Sequence, residues 1–170
     1  MDKRARLLIV DDDPMILESL ISILMAKGYD AKGASTGEEA LSLLESNFFN
    51  ALIVDLKLPD MTGLELLTRM KQTMPRIRKL ILTGFSDTPS TMDDVNQKAD
   101  AYLVKPFDPD NLLVLLEKNL DEQKEELRQT HERVLNYIKT RVRHLEETAN
   151  TINREAIKRR DYFILDRIFS

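Results

Sequence analysis

The chain contains no cysteine. That excludes a disulfide scaffold, a thiolate metal site and a cysteine nucleophile. Glycine and proline are scarce, five and six residues respectively, and all of them fall at or before Pro109. The last 61 residues, 110–170, hold neither breaker, so the architecture changes there. No sign of charge dominates: 25 basic against 29 acidic residues leave a net charge of −4, which gives no general attraction to nucleic acid. Long apolar runs are missing as well. Leu7–Val10 follows a basic start, Met1–Arg6, but stops at three aspartates. It is too short for a signal peptide, and no stretch approaches the roughly 18 apolar residues of a membrane span. A cytoplasmic chain with no membrane partner is expected.

What is present suits one domain of about 120 residues plus an appendage, with 42% hydrophobic residues to build a core. Arg6–Val10, Ala51–Val54, Lys79–Leu82 and Ala101–Val104 are short, nearly continuous apolar runs and are expected to be buried strands. Tyr29–Ala34 is a weaker fifth. Between them Pro14–Lys27, Thr36–Ser46, Gly63–Thr73 and Thr91–Lys98 carry apolar residues at helical spacing. Asp13-Pro14 and Asp108-Pro109 mark helix starts, a capping carboxylate followed by proline. Ser35 with Glu38 fits a capping box. Alternating strands and helices predict an α/β fold, a doubly wound five-stranded parallel sheet with a helical C-terminal extension.

In such a fold ligands bind beyond the carboxyl ends of the strands. The first strand ends in Asp11-Asp12-Asp13, the third in Asp55, the fourth in Thr83-Gly84 and the fifth in Lys105-Pro106. Carboxylates crowded together need a cation among them. Oxygen ligands without histidine or cysteine select Mg²⁺ or a similar hard ion. Such a site can offset the charge of a phosphoryl group, with lysine pairing to it and one carboxylate acting as nucleophile. Taken singly, each residue has a plainer explanation. Adjacent aspartates are commonly loop or cap residues, and Asp13 is better explained as the cap before Pro14. Asp55 suits a turn, Thr83 a buried hydroxyl, and Lys105 a solvated surface. Their occurrence together at the ends of four strands is what argues for a site.

The runs LLIVDDDP (7–14), ALIVDLKLPDMTGLELL (51–67), LILTG (80–84) and AYLVKPF (101–107), in this order and spacing, resemble the receiver domain of two-component response regulators. The resemblance covers about residues 4–120 and implies a flavodoxin-like receiver fold. It implies that Asp55 accepts phosphate from a histidine kinase or phosphotransfer protein. Mg²⁺ would be held by Asp11, Asp12, Asp55 and the backbone carbonyl of Lys57. Thr83 and Lys105 would contact the phosphoryl group, Lys105–Pro106 would be cis, and Tyr102 would move with Thr83. The alternative for Tyr102 is a half-buried strand aromatic. Gly84 leaves a path to Asp55, which Lys57 and Phe85 would flank. The domain implied is a phosphoacceptor and not an enzyme. An aspartate-nucleophile phosphatase is the alternative, but it would want an aspartate where Lys57 stands.

The division expected is a receiver at 1–122 and an extension at 123–170. Leu112, Leu113, Leu116 and Leu120 suit a last receiver helix. From Ile138 the apolar positions step to Val142, Leu145, Ala149, Ile152 and Ala156 by fours and threes, close to a heptad seam. A helix of about 60 residues would reach about 90 Å and cannot bury such a stripe alone. A dimeric coiled coil is expected. A hairpin folding back near Thr148–Thr151, or a linker within a longer regulator with an effector beyond Ser170, are the alternatives. No DNA-recognition pattern is present, and Lys158-Arg159-Arg160 suits a solvated face. His131-Glu132 is followed by Arg133, Val134 and Leu135, without the proline of a phosphorylatable histidine motif, and suits a polar seam position.

Overall fold

The computed structural model describes residues 5–73, 75–84 and 89–168, without the side chains of 89–92 and 157–168. In chain order the elements are β1 (Arg6–Val10), α1 (Pro14–Ala26), β2 (Asp30–Ala34), α2 (Gly37–Ser46), β3 (Ala51–Asp55), α3 (Gly63–Arg69), β4 (Arg78–Gly84), α4 (Pro89–Lys98), β5 (Ala101–Lys105) and α5 (Pro109–Ile168). The five strands form one parallel sheet in the order β2-β1-β3-β4-β5. Strand order reverses between β1 and β3, which opens a crevice at their carboxyl ends.

Strand side chains alternate between the two faces of the sheet, and the core divides accordingly. Leu8, Val10, Leu52, Val54 and Ile81 pack against Ala40 of α2, Leu66 and Leu67 of α3 and Val95 of α4. Leu7, Ile9, Ile53, Leu80 and Leu82 pack against Leu20 and Leu24 of α1 and Leu112, Leu116 and Leu120 of α5. The four residues Ala51–Val54 are buried on both faces, which explains their unbroken apolar run. The edge strands β2 and β5 are mixed, and β2 contains Lys32 and Gly33.

Helix ends follow local chemistry. The Asp13 carboxylate accepts from the Met15 and Ile16 amides, at 2.9 and 3.3 Å, ahead of Pro14. Asp108 does the same for the Asp110 amide at 3.0 Å. Helix α1 closes at Gly28, φ 92°, with the Gly28 and Tyr29 amides donating to Met25 and Leu24; a left-handed conformation there calls for glycine. The cap of α2 lies one residue later than expected. Thr36, not Ser35, accepts from the N3 amide, that of Glu39, while the Glu39 carboxylate reaches back to Ser35. Helix α3 ends at Arg69 rather than Thr73, because Met70 turns extended and Thr73 binds Pro75 and Ile77 instead. Both β3 and β5 reach one residue further than the apolar runs, to Asp55 and Lys105.

The chain divides into two compact units, Met1–Glu125 and Glu126–Ser170. The first extends through Gln123, which is buried on α5. Its amide donates to the carbonyls of Asn50 and Arg76, at 2.9 and 2.7 Å, and accepts from the Asn50 side chain at 3.2 Å. Asn50 in turn holds Arg6 by its backbone and side chain and accepts from the Arg78 amide. In the second unit the helix is unbroken through 148–151, where the Thr148 and Thr151 hydroxyls bond back to His144 and Glu147 carbonyls. No hairpin forms there. Hydroxyls four residues downstream of a carbonyl can satisfy themselves within a helix.

Candidate phosphoacceptor site

Three strands deliver the charged groups. Asp11 follows β1, Asp55 ends β3 and Lys105 ends β5. One carboxylate oxygen from each of Asp11, Asp12 and Asp55 lies within 4.8 Å of the others. Asp11 is buried at 1% exposure, Asp55 is half-buried and Asp12 is exposed. The Lys105 ammonium reaches into the group, 2.7 Å from Asp11 Oδ2 and paired also with Asp55 Oδ2. The other Asp55 oxygen, Oδ1, accepts from the Lys57 amide at 2.9 Å. Asp11 Oδ1 accepts from the Asp13 amide at 2.9 Å. Asp13 itself serves the helix cap.

Burial pushes the Asp11 carboxyl above its usual range, although Lys105 and the Asp13 amide oppose it. Burial also acts to lower the Lys105 ammonium, but its bonds to Asp11 and Asp55 outweigh this and raise it. The lysine therefore stays charged and serves as counter-ion to the carboxylates. The donor set is all oxygen, and among the described residues no other grouping of this kind occurs. Anionic oxygens at this spacing fit a hard divalent ion such as Mg²⁺.

Thr83 and Gly84 end β4, with Gly84 in register with Lys105. The Thr83 side chain is buried and donates to the Gly84 carbonyl at 3.3 Å. Tyr102 is not brought to the acidic group: it is 41% exposed on β5, on the opposite side of the strand's alternation from Ala101 and Leu103. The Lys105–Pro106 peptide is cis. Phe85 lies outside the described residues.

The sequence reading missed two supports. Gly63 runs against Asp55: a Cβ there would lie 2.5 Å from the Asp55 carbonyl oxygen, so only glycine fits. Asp60 ties the β3–α3 loop to α2, accepting from the Gly37 and Glu38 amides at 2.9 Å each. Those amides hold its carboxyl below the usual range. An aspartate after a proline is easily taken for a plain turn residue; only its position opposite a helix N-terminus shows the role.

Five parallel strands with carboxylates and a lysine gathered at their carboxyl ends define a doubly wound α/β domain of receiver type. Residues 7–117 match the response regulator receiver domain family, and the chain belongs to it. The Alginate biosynthesis transcriptional regulatory protein AlgB of Pseudomonas aeruginosa is 34% identical over 120 residues, 71% of this chain and 27% of that protein. The Transcriptional regulatory protein ZraR of Escherichia coli K12 is 33% identical over 114 residues, 67% of this chain and 26% of that protein. The chain thus spans about a quarter of the length of these curated relatives. Among solved structures, a CheY-like receiver domain protein from Methanospirillum hungatei JF-1 is 40% identical with a TM-score of 0.65, covering 73% of this chain and 99% of that one. A receiver domain from Clostridium thermocellum, 27% identical, also has a TM-score of 0.65, covering 71% and 97%. The domain is a signalling domain of two-component systems.

Proposed function

We propose that Asp55 is the phosphoacceptor of this response regulator. The observation that carries this is the convergence of three carboxylates with Lys105 paired to Asp55. An Asp55 oxygen would attack the phosphorus of a phosphohistidine on a kinase or phosphotransfer protein. The phosphorus–nitrogen bond breaks and an aspartyl phosphate forms. Mg²⁺ held by Asp11, Asp12, Asp55 and the Lys57 carbonyl would neutralise charge on the transferred group. Lys105 would exchange its pairing with the Asp55 carboxylate for the new phosphoryl oxygens. The Thr83 hydroxyl would turn from the Gly84 carbonyl toward them, and Gly84, lacking a side chain, leaves the approach open. Tyr102, now outward, would move as Thr83 moves. The activity is phosphoryl acceptance for signalling, not turnover of a substrate.

The signal would pass to the helical extension, which we read as a homodimerisation and interaction segment. The receiver is taken to extend through the turn that carries Gln123. Contact with nucleic acid or membrane forms no part of this reading. A second reading is favoured by one observation: the curated relatives named transcriptional regulatory proteins are about four times longer than the part matched. In that reading the extension leads to an effector domain. Incubation with acetyl phosphate and Mg²⁺, followed by intact-protein mass spectrometry, tests the phosphoacceptor. One added phosphoryl group is expected, absent in Asp55→Asn and much reduced when Mg²⁺ is chelated. Unchanged labelling of Asp55→Asn would refute it.

A further inference from the structure

Within the second unit the helix presents an apolar stripe that is exposed among the described residues. Leu135, Ile138, Val142, Leu145 and Ile152 are each 45–62% exposed. Spaced by three and four, they occupy the inner a and d positions of a heptad, with Leu135 and Val142 at a and Ile138, Leu145 and Ile152 at d. The flanking e and g positions carry the information about orientation. Arg141 stands at g and Glu146 at the following e. In two parallel helices in register, g of one faces the following e of the other, so this pair is attractive and occurs twice. In an antiparallel pair centred on Leu145, Glu146 would face the other copy's Glu146. Arg141 and Glu146 are both exposed, and neither has an ion-pair partner among the described residues. Upstream the seam reverses character. Arg128 and His131 take the next a and d positions, where parallel copies would set Arg128 against Arg128, and Arg128 instead pairs with Glu132 of its own helix.

We infer that the extension binds a second copy of this chain as a parallel, in-register pair that closes from Leu135 onward and is held open at Arg128–His131, an inference that rests on the proposed pairing of two copies. In this arrangement apolar meets apolar at a and d from Leu135 to Ala156, Arg141 meets the other copy's Glu146, and Arg128 meets Arg128 at the upstream end. That end is the one nearer the receiver in sequence. The seam thus has a repulsive stretch placed where a change in the receiver can add to it or relieve it, while the apolar stretch beyond keeps the copies together.

The absence of cysteine makes the test direct. Ile138→Cys, Leu145→Cys and Ile152→Cys are introduced singly into the full chain, with Thr140→Cys on the outer face as a control. A disulfide forms only where the two Cα atoms approach within about 7 Å. Each inner cysteine should bridge to itself under mild oxidation, Thr140→Cys should not, and His131→Cys should bridge markedly more slowly than Ile138→Cys. Sedimentation should show two chains. Arg141→Glu and Glu146→Arg should each raise the dimer dissociation constant roughly 3- to 30-fold, and the double exchange should largely restore it. Self-bridging at Leu145→Cys alone would mean antiparallel pairing and overturn the inference, as would three or more chains. A dimer in which none of the inner cysteines bridges would overturn it and leave dimerisation standing. A monomer would overturn both.

Discussion

Gln123→Ala perturbs the point where the first unit is tied to the amino ends of its strands. Gln123 is 2% exposed and makes three hydrogen bonds, to the Asn50 carbonyl, the Arg76 carbonyl and the Asn50 side chain. Each such bond contributes about 1 kcal/mol net, and a buried group left without a partner costs about 1–3 kcal/mol. The Asn50 carbonyl keeps the Arg78 amide as a second donor, so its loss is the cheapest of the three. The expected destabilisation is about 3 kcal/mol. With a urea slope of about 1.5 kcal/mol/M, the midpoint should fall by roughly 2 M with little change in slope. Urea unfolding followed by tyrosine fluorescence suits the measurement, because Tyr29 lies near Glu117, Asp121 and Lys124 of the same helix. Gln123→Glu should fare no better, since a carboxylate cannot donate to two carbonyls. A loss below about 0.5 kcal/mol in Gln123→Ala would show that the three bonds exchange for water without cost, and the reasoning would fail.

The aspartate triplet should separate by role: Asp12→Ala should weaken Mg²⁺ binding and slow phosphorylation far more than Asp13→Ala, which should lower stability by about 1 kcal/mol as a lost helix cap. Phosphorylation kinetics and urea midpoints of both variants check this, and equal kinetic losses would contradict it. Gly63→Ala should slow phosphorylation of a protein that still folds, because its methyl group can be placed only by moving the Asp55 backbone; the amide spectrum around Asp55 should shift. Asp60 supplies a pH dependence. Its folded carboxyl titrates below the usual value of 3.8, so its stabilising contribution is present above that value and is lost as pH falls through the lowered one. Asp60→Asn should therefore flatten the acid limb of the stability curve below about pH 4.

Much of the fold was legible because its signals are local. Proline after aspartate marks two helix starts, continuous apolar runs mark the inner strands, and a heptad marks the extension. The site was legible for a different reason: each strand's carboxyl end can be read directly, and a parallel sheet brings those ends to one edge. What escaped was set by tertiary partners. Gln123 sits in a polar stretch and Asn50 between Phe49 and the apolar run of β3, and nothing local says that the two side chains bond to each other. Asp60 and Gly63 owe their roles to a helix terminus 23 residues away and a carbonyl eight residues away. The cap of α2 slipped from Ser35 to Thr36 because both positions offer a hydroxyl followed three residues later by a glutamate, and only the backbone chooses. Helix α3 stopped short because Thr73 found better partners around Pro75.

The central claim is that the phosphoryl group resides on the Asp55 carboxylate. An acyl phosphate is reduced by borohydride to an alcohol, which converts aspartate to homoserine at the acceptor and nowhere else. Phosphorylating the full chain with acetyl phosphate and Mg²⁺, reducing it, and mapping peptides by tandem mass spectrometry reads the position directly. Homoserine at position 55, and its absence without phosphodonor, is the expected result. Homoserine at position 11 or 12, or a phosphorylated chain with aspartate intact at 55, would contradict it.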